Sequence, residues 1–357
     1  MAVNPENASG TQSVPLINVG ALFGPRCAAR AATDAQILAA AGNIGFLSIV
    51  GLPPGVPTGG AARADLLRIF RLSPSELRQL WRRKFEPRNP NLYRGWFPVQ
   101  PGNLTSKEGI DMGGDIAYGT SLIDASDPLC EPTPLPSEAA LPGWRMAVTA
   151  YYKAMGEVSA ALMRSIARSL GLDEQYFDSA FYRGLSTLRL LRYPVRSADE
   201  LARCRAAELW VSQGGARYYV AGAAHTDSGF MTLLAQDGVA GLQARTRDGS
   251  WADVPPHEHA LAVNFGQVLE RWSGGRIKTT EHRVLGAGQE RFSISFFYEA
   301  RTDAEICPLP FDDRKSFEPF LYGDFLWARM VNFVEFRGME AVRKPRRGPV
   351  SPERNLE

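Results

Sequence analysis

Four histidines occur in the 357 residues, at positions 225, 257, 259 and 282. His225-Thr226-Asp227 sets an imidazole and a carboxylate at i and i+2, which on a strand point to the same side. His282 follows Asp227 by 55 residues, an interval that holds three or four predicted strands. That is enough chain to wind round a barrel and return beside the first pair. Two imidazoles and one carboxylate cover one face of an octahedral ion and leave the opposite face for water, oxygen and a substrate, a donor set suited to Fe(II). His and Asp also bind zinc, and a bare His-x-Asp is a weak pattern by itself, so the neighbours must decide.

Arg291-Phe292-Ser293 supplies the deciding neighbour. Along this strand Arg291, Ser293, Ser295 and Phe297 share one face, and Phe292, Ile294, Phe296 and Tyr298 the other. An arginine inside a barrel is costly to bury unless an anion meets it. A guanidinium fork with a hydroxyl two residues on fits a carboxylate. An internal Asp or Glu partner would explain the strand if it stood alone, but it starts nine residues after a candidate metal ligand. By contrast, His257 and His259 sit in Pro255-Pro256-His257-Glu258-His259, a polar stretch between strands, and read as surface loop residues.

The elements that must position these groups change character near residue 185. Before it helices dominate: a short one over Thr33–Ala41, one opened by the capping box Ser73-Pro74-Ser75-Glu76 and running to about Phe85, and a long one from about Pro142 to Leu170. In the last, Trp144, Val148, Tyr151, Met155, Val158, Leu162, Ile166 and Leu170 recur at three- and four-residue steps, and Gly171 stands where a cap belongs. Gly45–Val50 reads as a buried strand, and residues 86–141, rich in Pro, Gly and Asn, as irregular. After residue 185 come short strands at Thr187–Tyr193, Arg217–Ala221, Phe230–Ala235, Gly241–Arg245, Ala260–Phe265, His282–Leu285 and Arg291–Tyr298. Their number and spacing predict a sandwich or barrel, buttressed by the helices of the first half and by a last helix over Ser316–Val334. The expected organisation is an N-terminal region (1–185) packed on the core, a β core (186–300), a C-terminal helical region (301–340) and a flexible, solvated basic tail (341–357).

Forty Lys and Arg against 38 Asp and Glu leave a net charge of +2, which argues against a nucleic-acid-binding surface. At 45% hydrophobic residues the chain can bury a core without staples. Cys27, Cys130, Cys204 and Cys307 are scattered and read as reduced thiols. No apolar run approaches the roughly 18–20 residues of a membrane helix, and the first residues lack the pattern of a secretory signal, so the expectation is a soluble, cytoplasmic protein without membrane partners.

Taken together, the motifs resemble the Fe(II)/2-oxoglutarate-dependent dioxygenases of the isopenicillin N synthase-like superfamily. The resemblance spans nearly the whole chain: Pro15–Val19, Gly45-Phe46-Leu47, Tyr93–Phe97, Lys107–Gly113, Leu188–Pro194, Gly222–Asp227, Asn264-Phe265-Gly266 and Tyr322–Leu326. It implies a double-stranded β-helix (jelly roll), with Fe(II) held by His225, Asp227 and His282. It further implies 2-oxoglutarate bound through Arg291 and Ser293 with the Tyr193 hydroxyl as a further donor, O2 as oxidant, and a small-molecule substrate that is hydroxylated, desaturated or cyclised with release of succinate and CO2. No general acid or base beyond the metal ligands is required. The chain departs from the family at Gln267, where Asp is common after Asn-x-Gly, and at Leu191-Arg192, where many plant members have Asn-Tyr. An oxidase of the isopenicillin N synthase type uses Fe(II) and O2 without 2-oxoglutarate and would spend Arg291 on its substrate's carboxylate. The absence of Gln after residue 289, where that enzyme's tail carries an iron ligand, favours 2-oxoglutarate. A non-catalytic small-molecule sensor on the same fold is a further alternative, which an intact triad disfavours. The substrate pocket is expected to draw on residues 86–125, Arg189 and inward-facing strand residues such as Phe297; Arg189 and Arg94 each either meet an acidic substrate or make a structural ion pair, and oligomeric state is left open.

Overall fold

The longest apolar repeat in the sequence forms the longest helix, Trp144–Ser169. The computed structural model describes residues 13–119, 126–204, 207–286, 288–311, 317–333 and 335–347. The helix buries Val148, Tyr151, Met155, Val158, Leu162 and Ile166, each worth roughly 1.5–3 kcal/mol of apolar burial before entropy is charged against it. Gly171, at φ +74°, turns the chain out of the helix in the left-handed region, and the next amide, Leu172, bonds back to the Ala167 carbonyl at 2.9 Å.

That helix lies in one apolar cluster with Ile294, Phe296 and Tyr298, the outward face expected for the Arg291 strand. The Tyr152 and Phe296 rings meet edge to face with centroids 5.0 Å apart. Thirteen strands form two sheets: β1 (Leu16–Asn18), β2 (Phe46–Val50), β3 (Gly95–Phe97), β4 (Glu108–Met112), β5 (Thr187–Tyr193), β6 (Trp210–Gln213), β7 (Ala216–His225), β8 (Met231–Gln236), β9 (Leu242–Arg245), β10 (Trp251–Asp253), β11 (Leu261–Phe265), β12 (His282–Gly286) and β13 (Arg291–Tyr298). The larger sheet has the order β1-β2-β11-β8-β13-β5-β4-β3 and the smaller β10-β9-β12-β7-β6. All neighbours are antiparallel except β1 and β2. Between the sheets Phe46, Leu191 and Ala262 of the larger pack with Ala221, Leu242, Ala244 and Val284 of the smaller. The result is a double-stranded β-helix with the helices outside it.

Besides a first helix that runs over Ala28–Asn43, longer at both ends than the predicted Thr33–Ala41, the structure departs from sequence expectation most plainly in four places. The helix opened by the Ser73 capping box stops at Gln79 and not near Phe85. Its continuation is taken into a backbone bridge, with the Trp96 amide donating to the Leu80 carbonyl at 2.7 Å and the Arg82 amide to the Trp96 carbonyl at 2.9 Å. The stretch 86–141 is not wholly irregular, since β3 and β4 extend the larger sheet from it; residues 120–125 of the predicted pocket segment lie outside the described residues. The last helix runs over Tyr322–Met330, shorter than the predicted Ser316–Val334, of which residues 316 and 334 lie outside the described residues.

The basic stretch differs most. Arg343, assigned to a solvated tail, is buried: its Nε donates to both carboxylate oxygens of Asp127 at 2.9 Å, and its Nη1 to Asp324 Oδ1 at 2.8 Å. The Arg346 and Arg347 amides donate to Asp324 Oδ2 at 2.9 and 3.0 Å. Two buried carboxylates need these donors, so the stretch folds back onto the domain. Residues 348–357 lie outside the described residues.

Candidate active site

The register of β7 and β12 places His225, the last residue of one strand, directly opposite His282, the first of the other. Their ring centroids are 4.4 Å apart. Asp227 follows in the turn after β7, with Oδ1 at 3.8 Å from Nε2 of each histidine. The three ligating atoms lie within 4.8 Å of one another, the only such group of three or more metal-capable side chains among the described residues.

Each side chain is aimed by a second bond. Nδ1 of His225 lies 2.8 Å from the Ala223 carbonyl, and Nδ1 of His282 3.0 Å from the Thr280 carbonyl. A carbonyl accepts only from an N–H, so both rings carry the proton on Nδ1 and turn the Nε2 lone pair inward. Asp227 Oδ2 accepts from Thr232 Oγ1 and from Asn264 Nδ2 at 2.7 Å, which leaves Oδ1 for the centre. Burial alone would raise the Asp227 pKa, but the two imidazoles and these hydrogen bonds hold it below its ordinary value. Burial, then the neighbouring His282, pulls His225 down to about 4, so its ring is neutral at neutral pH. Solvent reaches 43% of that side chain, which moderates the depression without reversing it. Gly266 explains the turn motif Asn264-Phe265-Gly266: a Cβ there would stand 2.3 Å from the Gly229 carbonyl, so only glycine lets β11 close on the Asp227 turn. Gln267 fills the departure from the family pattern by donating to Thr226 Oγ1 at 3.0 Å, and no candidate ligand is lost.

Arg291 is buried at 3% exposure, and its one side-chain hydrogen bond goes to a neutral acceptor, Gln236 Oε1, at 3.2 Å. Its Nε and Nη1 are buried without partners, as is the Ser293 hydroxyl beside them. Burial lowers the Arg291 pKa, with Tyr193 and Asp237 opposing the shift. The Tyr193 ring lies 5.3 Å from the guanidinium and lines the cavity that His225 and Asp227 also line, which Arg291 itself does not. A guanidinium with two unpaired donors and an adjacent hydroxyl fits the carboxylate of a bound anion, since leaving such groups unpaired costs several kcal/mol.

The cavity measures about 230 Å³. Thr105, Lys107, Arg189 and Phe297 contribute to its walls from the regions expected, whereas Leu326, Met330, Phe333, Glu335 and Phe336 come from the C-terminal region, which sequence reasoning left out. Arg189 is an internal ion pair: it grips Asp111 at 2.6 and 2.8 Å, and Arg82 bonds the same carboxylate. Arg94 spends its two Nη atoms on Thr187 Oγ1 and the Leu185 carbonyl, with Nε buried and unpaired. His257 and His259 are exposed and lie outside the site, as expected. Thr232, Asn264 and Glu299 were missed as site residues; the Asn-x-Gly spelling was the signal available for Asn264.

Residues 211–300 match the model of the 2OG-Fe(II) oxygenase superfamily. Isopenicillin N synthase of Streptomyces clavuligerus is 28% identical over 320 residues, 88% of this chain and 93% of that protein. The 2-oxoglutarate-Fe(II) type oxidoreductase hxnY of Emericella nidulans is 35% identical over 159 residues, 44% of this chain and 41% of that protein. A full-length Neurospora crassa protein, solved in complex with alpha-KG and 5-formyluracil, superposes with a TM-score of 0.73 at 25% identity, covering 92% of this chain and 100% of that one. Jelly-roll architecture, domain match and relatives agree: residues 211–300 carry a 2OG-Fe(II) oxygenase domain, and the chain is similar over most of its length to proteins built on that domain.

Proposed function

We propose that His225, Asp227 and His282 hold the Fe(II), that Arg291 and Ser293 hold the distal carboxylate of 2-oxoglutarate, and that Tyr193 closes the co-substrate's seat. The observation that carries this reading is the pair of unpaired, buried donors on Arg291 with the unpaired Ser293 hydroxyl on the same strand face, in the sheet that packs against the one carrying His225 and His282. When bound, the metal and 2-oxoglutarate supply oxidation by O2, with 2-oxoglutarate leaving as succinate and CO2. The protein's part is positional. The Ala223 and Thr280 carbonyls fix the imidazole tautomers, Thr232 and Asn264 hold Asp227, and the guanidinium of Arg291 sets how far the co-substrate reaches into the barrel. Tyr193 presents its ring to Arg291 and must leave room for the bound carboxylate.

The substrate is a small molecule that enters by the cavity under Leu326, Met330 and Phe336, where apolar walls exclude water from the reacting centre. We place the protein in the cytoplasm on the strength of its cysteines, which are free among the described residues, and assign it no nucleic-acid or membrane partner. No helix among the described residues is long and apolar enough to cross a membrane. Isopenicillin N synthase is the relative aligned over most of this chain among those named above, so the oxidase mode that bypasses 2-oxoglutarate is the competing reading. Succinate assay separates the two. With Fe(II) and substrate, one succinate per oxidised substrate supports 2-oxoglutarate as co-substrate; substrate oxidation without succinate assigns Arg291 to the substrate.

A further inference from the structure

Glu299 follows directly on β13 and lines the same cavity as His225 and Asp227. It is only 7% exposed, and its Oε2 is buried without a hydrogen-bond partner. The backbone makes room for the carboxyl deliberately: a Cβ on Gly229 would stand 2.3 Å from Oε1 and 2.5 Å from Oε2. The charges that bear on Glu299 are Asp227 and Arg94, and Arg94 spends both Nη atoms elsewhere. No ion pair of Glu299 occurs among the described residues. Nothing in the binding of Fe(II) or 2-oxoglutarate calls for this group.

Resting on the oxygenase reading above, we propose that Glu299 is the polar anchor of the substrate and that it accepts an N–H from a planar amide- or lactam-type group. A buried carboxyl with an unmade bond costs a few kcal/mol unless a ligand completes it, and the cavity is where that ligand comes. Burial, with Asp227 adding to it, pushes the Glu299 pKa well above the ordinary carboxylate value. A carboxyl accepts an N–H through either oxygen, and the protonated form that burial favours adds an O–H beside its C=O, the complement of an N–H beside a C=O. A cationic amine has donors only and lacks the acceptor that this edge pairs with. The apolar walls around Leu326, Met330 and Phe336 then take the rest of a flat molecule.

The test uses the full chain loaded anaerobically with Fe(II) and 2-oxoglutarate, and the probes 2-pyridone, 2-piperidone and benzamide, each beside its N-methylated counterpart (N,N-dimethylated for benzamide), with benzylamine as the cation. Binding is read by calorimetry. On wild type and on Glu299→Gln, which keeps an acceptor beside a donor, at least one parent compound binds about tenfold tighter than its methylated partner, the worth of one buried hydrogen bond. On Glu299→Leu that preference disappears. Equal binding within every pair on wild type overturns the proposal, as does tighter binding of benzylamine than of benzamide, or a preference that survives in Glu299→Leu. The wild-type comparison decides alone should the leucine variant fail to fold. Loss of the visible Fe(II)–2-oxoglutarate band in wild type would break the oxygenase reading itself; its presence with methyl-blind probes breaks only the role of Glu299.

Discussion

Arg189 and Arg291 sit towards opposite ends of one strand pair, where Arg291 faces Tyr193 and Ser295 faces Arg189 in the register. Both guanidiniums are enclosed by protein, and both stand near aromatic rings. At one end Arg189 is saturated, with two bonds to Asp111, a carboxylate it shares with Arg82. At the other end Arg291 has a single bond to an amide oxygen and two donors with nothing to meet. The same residue type is therefore paired by the chain in one place and left with open donors in the other. What separates them is the presence of a carboxylate already supplied by the chain.

The comparison breaks most visibly by substitution. Arg291→Met should weaken 2-oxoglutarate binding by about a hundredfold or more, the loss of a charge-assisted pair of bonds, while the unliganded protein keeps or gains thermal stability because an uncompensated buried charge has gone. Arg189→Met should do the reverse, costing roughly 2–4 kcal/mol in denaturant unfolding, since Asp111 keeps only Arg82, with 2-oxoglutarate affinity little changed. If both substitutions acted on stability alone, the two ends would not differ in kind.

A second effect follows Asp111 into acid. Burial opposes its ionisation, yet Arg189 and Arg82 hold its pKa at about 2, below the ordinary 3.8. A depressed carboxyl gives stability that is complete above its unfolded pKa and is lost as pH falls through its folded one. Urea unfolding should therefore weaken between about pH 4 and pH 2, and Asp111→Asn, less stable at pH 7, should flatten the slope in that window.

The triad and the Arg291 strand were legible because their signals are local. A spacing of two on a strand, and strict alternation over eight residues, dictate which side chains share a face before any tertiary contact is known. What was illegible depends on partners far apart in sequence. Arg343 reads as tail until Asp127, 216 residues away, is seen to receive it. β3 is three residues long and is held between β4 and the bridge from Leu80 and Arg82 to Trp96, pairings that no periodicity records. Glu299 stands just past the predicted strand Arg291–Tyr298, and only the missing Cβ of Gly229 shows that there is space for its carboxyl.

Smaller effects concern the metal-ligand group. Thr232→Val and Asn264→Ala each release Asp227 Oδ2 from one bond, and each should weaken Fe(II) affinity by about 10–100-fold in competition with a chelator, with little change in 2-oxoglutarate binding at saturating metal. His257→Ala and His259→Ala, both on the exposed loop, should leave metal affinity unchanged and stability within about 0.5 kcal/mol.

The most direct measurement is an anaerobic titration of 2-oxoglutarate into the Fe(II)-loaded protein, followed by the visible charge-transfer band, on wild type and on Arg291→Met. A saturable band in wild type, displaced to about a hundredfold higher concentration in the variant, is the predicted result. A band with the same midpoint in both proteins, or no band in wild type, would contradict the assignment of the unpaired guanidinium to 2-oxoglutarate.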